Sequence, residues 1–221
     1  LTPGRHRLTI RVDNRMIVPV GPDAHSISDE TQTCWNGVVG RIELQAMPLV
    51  WLDDVQVYPD AAKKSIRIHA KFHNATGKIA EGKISWFISP GPGAAGLKTL
   101  PVSENLNTSA SAIDVTGVVV LGDRAQLWDE FSPVLYQLRA EVRGVAGGQA
   151  VDYDRTVSFG LREIGTDGIQ LTMNSRKFLA RGTLECCIFP LTGYPATDVD
   201  YWRKIMKACK DYGLNHIRFH S

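Results

Sequence analysis

The 221 residues hold no apolar run approaching the ~20 that cross a bilayer, and the first residues carry neither a basic segment nor an apolar signal core. No membrane partner is expected. Charge of one sign is also missing: 25 Lys and Arg stand against 23 Asp and Glu, so no broad field draws the chain to nucleic acid or anionic lipid. Cysteine is sparse, and Cys34, Cys186, Cys187 and Cys209 fit neither a CxxC pair nor a zinc ribbon. Buried free thiols are the expectation, with no metal site and no cofactor. The Gly-rich stretch from Ser89 to Gly96 precedes no lysine and opens no helix, so it does not read as a phosphate-binding loop. Carboxylates paired for acid-base work are lacking too, because Asp53 with Asp54 sits at a domain junction and Asp198 with Asp200 at a helix start.

What is present is alternation. The opening TPGRHRLTIRVDN sets Leu8, Ile10 and Val12 against Arg7, Thr9 and Arg11, the period of a half-buried strand. A polar loop from Asp23 to Gly37 holds His25 and Trp35, and VVGRIELQA then supplies Val39, Ile42 and Leu44 as apolar members of another strand. Together these read as the closing strands of an all-β domain that begins upstream. From Trp51 to Phe159 strand follows strand without a helical period. Ile66, Ile68, Ala70 and Phe72 alternate with Arg67, His69, Lys71 and His73, and the alternation recurs through Ile84, Trp86 and Ile88, through VTGVVVLG, through Tyr136 to Val142, and through YDRTVSFG. About seven short strands over roughly a hundred residues suit an antiparallel sandwich of immunoglobulin type. Trp86, Trp128 and Tyr136 fall to its core, and the basic stripe to its solvated outer face.

Past Phe159 the pattern changes class. Residues 171–174 and 177–182 read as a hairpin, and a loop leads to a helix beginning near Thr197, with Thr197 as its cap and Asp200 reaching back. Val199, Trp202, Ile205, Met206, Cys209 and Tyr212 recur at helical steps as one apolar stripe, and Gly213 ends the helix. The final LNHIRFHS reads as a strand on which Arg218 and His220 share one face, while Ile217 and Phe219 face a covering helix. Strand, helix and strand make one β-α-β unit with a right-handed crossover. Polar groups at the C-terminal end of such a strand lie where β/α-barrels keep their active sites.

These stretches resemble, in order, the middle of family 2 glycoside hydrolases, which include β-galactosidases, β-glucuronidases and β-mannosidases. TPGRHRLTIRVDN and WNGVVGRIEL match the end of the N-terminal sugar-binding domain, LWDEFSPVLYQLRAEV and VSFGLREIG the end of the sandwich, and LTMNSRKFLARG and GLNHIRFHS the entrance to the barrel. The resemblance implies a mainly β chain in three parts. Residues 1–50 would be the last strands of a jelly-roll sugar-binding domain, 51–160 an immunoglobulin-like β-sandwich, and 161–221 the first β-α-β unit of a (β/α)8 TIM barrel. Two departures stand out: one residue, Phe219, separates Arg218 from His220 where many members have two, and RGTLECCIF lacks the His-rich stretch of many β-galactosidases.

The implied activity is that of a retaining exo-glycoside hydrolase on terminal β-linked sugars, in which two carboxyl groups ~5 to 5.5 Å apart serve as acid/base and nucleophile. In the family both are glutamates on later barrel strands, so no catalytic residue is expected here and the fragment alone is expected to be inactive. The implied partner is a carbohydrate in a bacterial periplasmic or extracellular setting, with homo-oligomerisation left open. Five residues are candidates for contact with it. Arg218 can hold a carboxylate or hydroxyl pair, or instead neutralise a buried acid of the barrel. His220 can donate to a sugar hydroxyl or sit as a core histidine. Glu185 follows the first barrel strand, where sugar contact and plain solvation are both open. Trp35 and Asn36 combine a stacking surface with an amide, although a tryptophan at a strand entrance also serves as a core plug. The alternative function is a non-catalytic carbohydrate-binding or adhesion module, for which the β-α-β piece would pack as a finished unit.

Overall fold

The alternating apolar residues between Val50 and Phe159 form seven antiparallel strands: β1 (Val50–Asp60), β2 (Ser65–Asn74), β3 (Ala80–Pro90), β4 (Val102–Thr108), β5 (Ala112–Val120), β6 (Tyr136–Ala146) and β7 (Gln149–Phe159). The computed structural model describes residues 4–13, 15, 21, 37–38, 40–94, 96–97, 99–186, 188–189 and 191–219. The chain divides into two compact units, Gln45–Leu179 and the pair Leu1–Leu44 with Ala180–Ser221.

The first unit is a β-sandwich with sheet orders β1-β2-β5 and β4-β3-β6-β7. Leu52, Ile66, Ile68 and Phe72 meet Ile84, Trp86, Leu138 and Val142 between the sheets, all nearly or fully buried. Each such side chain contributes ~1.5 to 3 kcal/mol over an exposed one. Gly117 on β5 makes room for the Trp86 indole, since a Cβ there would stand 2.9 Å from Cδ1 and 3.0 Å from Cε2. Tyr136, fully buried where β6 begins, accepts a hydrogen bond from the Gln126 N–H (2.7 Å) and donates to the Gln126 carbonyl (3.3 Å). This ties the incoming loop to the sheet. β1 bulges between Asp53 and Gln56, with Asp54 at φ 47°. A small meander completes the unit, β8 (Ile164–Asp167), β9 (Gln170–Met173) and β10 (Arg176–Lys177) in the order β10-β9-β8.

Several expectations change. β4, with the sequence VSENLNT, is a polar edge strand that buries only Leu106, so no alternation announces it. Trp128 lies in the β5–β6 loop and not on a core strand; it is half-buried, with the Arg162 guanidinium 4.4 Å above its ring. The basic stripe does lie on the outer face of β2, where His73 stacks on Trp51 (4.6 Å) and Arg67 covers Tyr58 (5.1 Å).

In the second unit, described residues 5–13 and 40–44 form no strand, and Leu8, Ile10, Ile42 and Leu44 are exposed. A lone strand has no ladder partner for its backbone groups, and no described strand pairs with either segment. Val39, His25, Trp35 and Asn36 fall outside the described residues. The β-α-β piece consists of β11 (Gly182–Glu185), α1 (Val199–Asp211) and β12 (His216–Phe219), with β11 and β12 parallel; its first strand lies in the stretch after Gly182 expected as loop, while the hairpin strand expected over 177–182 ends at Lys177. The helix is capped by Asp198, whose Oδ1 accepts from the Tyr201 N–H at 2.8 Å, one residue later than Thr197. Only Trp202, Ile205 and Cys209 of the expected stripe are half-buried; Val199, Met206 and Tyr212 are exposed. Gly213 ends the helix at φ 73°, as its spacing predicts. Cys186 is exposed in the loop after β11 and Cys209 half-buried, so a fully buried thiol is found at neither, and Cys34 and Cys187 lie outside the described residues.

Candidate functional site

Parallel pairing sets the site. Gly182, Thr183, Leu184 and Glu185 stand opposite His216, Ile217, Arg218 and Phe219 in that order. Paired residues share a face, and neighbours along a strand alternate. The rings of Phe219 and Trp202 of α1 meet in a T-shaped contact with centroids 5.8 Å apart, which marks that face as the helix side. Arg218 and Leu184 therefore lie on the opposite face, away from α1.

The expected division of the last strand is realised for Arg218, Ile217 and Phe219, and His220 lies outside the described residues. Arg218 is exposed and meets no carboxylate among the described residues. Glu185 is half-buried and pairs with Phe219, so its Cβ points to the helix side. The register thus separates Glu185 from Arg218 across the sheet, and Glu185 is the last residue of β11 itself and does not follow the strand.

Aromatic packing fixes the loop leaving β11. Trp202 donates from Nε1 to the Ala196 carbonyl (2.8 Å) and receives ring contacts from Phe189 (6.3 Å), Tyr201 (5.4 Å) and Phe219 (5.8 Å). Phe189 is buried and its carbonyl accepts from the Gly193 N–H at 2.7 Å. At the other end of the strands are two residues that the alternation pattern does not single out. The Arg181 N–H donates to Asn215 Oδ1 (2.8 Å), the Asn215 N–H donates to the Arg181 carbonyl (2.9 Å), and Arg181 Nε donates to the Gly213 carbonyl (2.8 Å). An asparagine directly after a helix-ending glycine and before a strand is the available sequence signal for such a tie. Among the described residues no three His, Cys, Asp or Glu side chains gather as a metal site requires, and no helix is long and apolar enough to cross a membrane.

In chain order the fold is a two-sheet antiparallel sandwich and then a parallel strand pair joined through one helix, with Arg218 on the strand face away from that helix. The family model for glycosyl hydrolases family 2 matches residues 50–162, just over half of the chain, and the chain belongs to that family. No curated protein matches it. Among solved structures it is similar to a GH2 β-galacturonidase from Eisenbergiella tayi bound to galacturonate, with a TM-score of 0.67 at 21% identity over 94% of this chain and 35% of that one. It is also similar to β-glucuronidase 2 of Bacteroides uniformis, with a TM-score of 0.62 at 15% identity over 79% and 22%, and to a family 2 member from Bacteroides cellulosilyticus, with 0.61 at 18% over 77% and 23%. At these identities the likeness is one of fold. The chain spans about a third or less of the length of these structures.

Proposed function

We propose that the chain is the middle of a retaining exo-glycoside hydrolase that acts on terminal β-linked sugars, with both catalytic glutamates on barrel strands outside these residues. In this reading residues 1–50 close a jelly-roll sugar-binding domain, 51–160 are an immunoglobulin-like spacer, and 161–221 open a TIM barrel. The sheet orders β1-β2-β5 and β4-β3-β6-β7, with the corner tyrosine Tyr136, support the immunoglobulin type. The observation that carries the enzymatic reading is the parallel β11–α1–β12 unit, placed after a family 2 sandwich and presenting Arg218 on the face away from the helix. The unit is also incompletely covered: α1 has no buried residue and Phe219 is 56% exposed, which favours a growing barrel over a finished module.

Arg218 and His220 would then hold the sugar or orient a catalytic glutamate, with Trp35 and Asn36 reaching in from the first domain. Glu185, on the helix side, would support the loop that follows it. In the reaction one glutamate attacks the anomeric carbon while the other protonates the leaving oxygen, and water then releases the sugar with retention. Turnover of a panel of aryl β-glycosides by the full-length protein tests this, with β-galacturonide and β-glucuronide included. Arg218→Ala should lower kcat/KM by roughly ten- to a hundredfold, the worth of a hydrogen bond to a charged group. Unchanged turnover removes Arg218 from the site, and inertness to every glycoside rejects the enzyme in favour of the binding module.

A further inference from the structure

We infer that Asn215 and Arg181 are positioning residues: their reciprocal hydrogen bonds clamp the start of β12 to the start of β11 and so hold Arg218 opposite Leu184, on the face away from α1. The inference rests on the placing of Arg218 in the substrate site. The ladder between the two strands has four residue pairs, from Gly182↔His216 to Glu185↔Phe219, and its slanted parallel bonds are the weaker kind. A slip of one residue would carry Arg218 to the helix side, because strand faces alternate residue by residue. Asn215 opposes that slip with both its groups. Its Oδ1 takes the Arg181 N–H at 2.8 Å while its own N–H reaches the Arg181 carbonyl at 2.9 Å, one step before the first ladder pair. Arg181 Nε then bonds the Gly213 carbonyl at 2.8 Å, in the turn where the Leu214 N–H caps the Cys209 carbonyl at 2.9 Å. The end of the helix is thereby fastened to β11, and the register of β12 is set before its first residue pairs. Gly182 fits the same arrangement, since a Cβ there would stand 2.9 Å from His216 Cδ2.

A double-mutant cycle in the full-length enzyme, read as kcat/KM on the best aryl glycoside, tests the clamp. Asn215→Ala should lower kcat/KM on the order of 10- to 100-fold, as displacement of a site group does. Asn215→Asp keeps the Oδ1 acceptor and should restore most of the activity. In an Arg218→Ala background, Asn215→Ala should add about twofold or less, because the two changes remove one function. Should Asn215→Ala fail to fold, Arg181→Ala, which removes the Nε bond to Gly213 and leaves both backbone groups that meet Asn215, must show a smaller loss with the same non-additivity. Full activity of Asn215→Ala beside a crippled Arg218→Ala, or losses that multiply, overturns the clamp alone. An inert wild type, or Arg218→Ala with full turnover, overturns the site assignment beneath it.

Discussion

At the scale of single residues, the sandwich is specified where a large ring needs a particular neighbour. Trp86 is fully buried and, among the described residues, its Nε1 has no hydrogen-bond partner, so its burial rests on packing against Gly117. Gly117→Ala should lower stability by about 1 to 3 kcal/mol in urea melts, since both the indole and the strand backbone are confined. The same substitution beside Trp86→Leu should cost less than alone, because the two side chains compete for one space. Tyr136 acts by its hydroxyl instead. Tyr136→Phe keeps the ring but leaves the Gln126 N–H without the oxygen it meets at 2.7 Å, a loss of about 1 to 2 kcal/mol. A melt indistinguishable from wild type would show that water replaces the hydroxyl there.

At the scale of elements, the period of two identified the sandwich strands wherever one face is apolar and the other polar, as on β2 and β6. It passed over β4, whose polar residues suit an edge, and β8, whose four residues are all exposed. Both depend on a neighbouring strand for their conformation, which local alternation cannot record. The helix shows a finer limit. Thr197 and Asp198 are both competent caps by type, and only backbone geometry selects Asp198, which is extended at φ −96° and ψ 148° with its carboxylate on the Tyr201 N–H. Asp198→Ala should therefore destabilise α1 by about 0.5 to 2 kcal/mol, and Thr197→Ala should do little. Helical circular dichroism during thermal unfolding separates the two, and the reverse ranking would return the cap to Thr197. For the candidate site, alternation sufficed to put Arg218 opposite in sense to Phe219. It could not place Glu185, because its face depends on register across two strands separated by thirty residues of loop and helix.

At the scale of the whole molecule, the two sheets of the sandwich pack chiefly through apolar burial, and their edges also meet in an ion pair between β1 and β7. There Arg155 Nη1 lies 2.9 Å from Asp53 Oδ1, beside the bulge at Asp54. The Asp53 carboxyl is held below its usual range, first by the Asp54 N–H whose hydrogen bond it accepts at 2.9 Å; burial, the next largest effect, opposes this, and the hydrogen bond and charge of Arg155 then add to the lowering. A carboxylate whose pKa is depressed by folding stabilises the folded state above its unfolded pKa, near 3.8. That contribution is lost as pH falls through the lower folded value. Both side chains are well exposed, so the effect is modest and screened by salt. In low salt the melting temperature of wild type should fall more steeply below about pH 4 than that of Asp53→Asn, because the variant has no proton to take up on unfolding. Arg155→Ala should lie between the two, since it removes the ion pair but leaves the Asp54 N–H in place. Equal slopes in wild type and Asp53→Asn would mean that the edge contact does not feel acid, leaving the junction of the two sheets to apolar packing throughout.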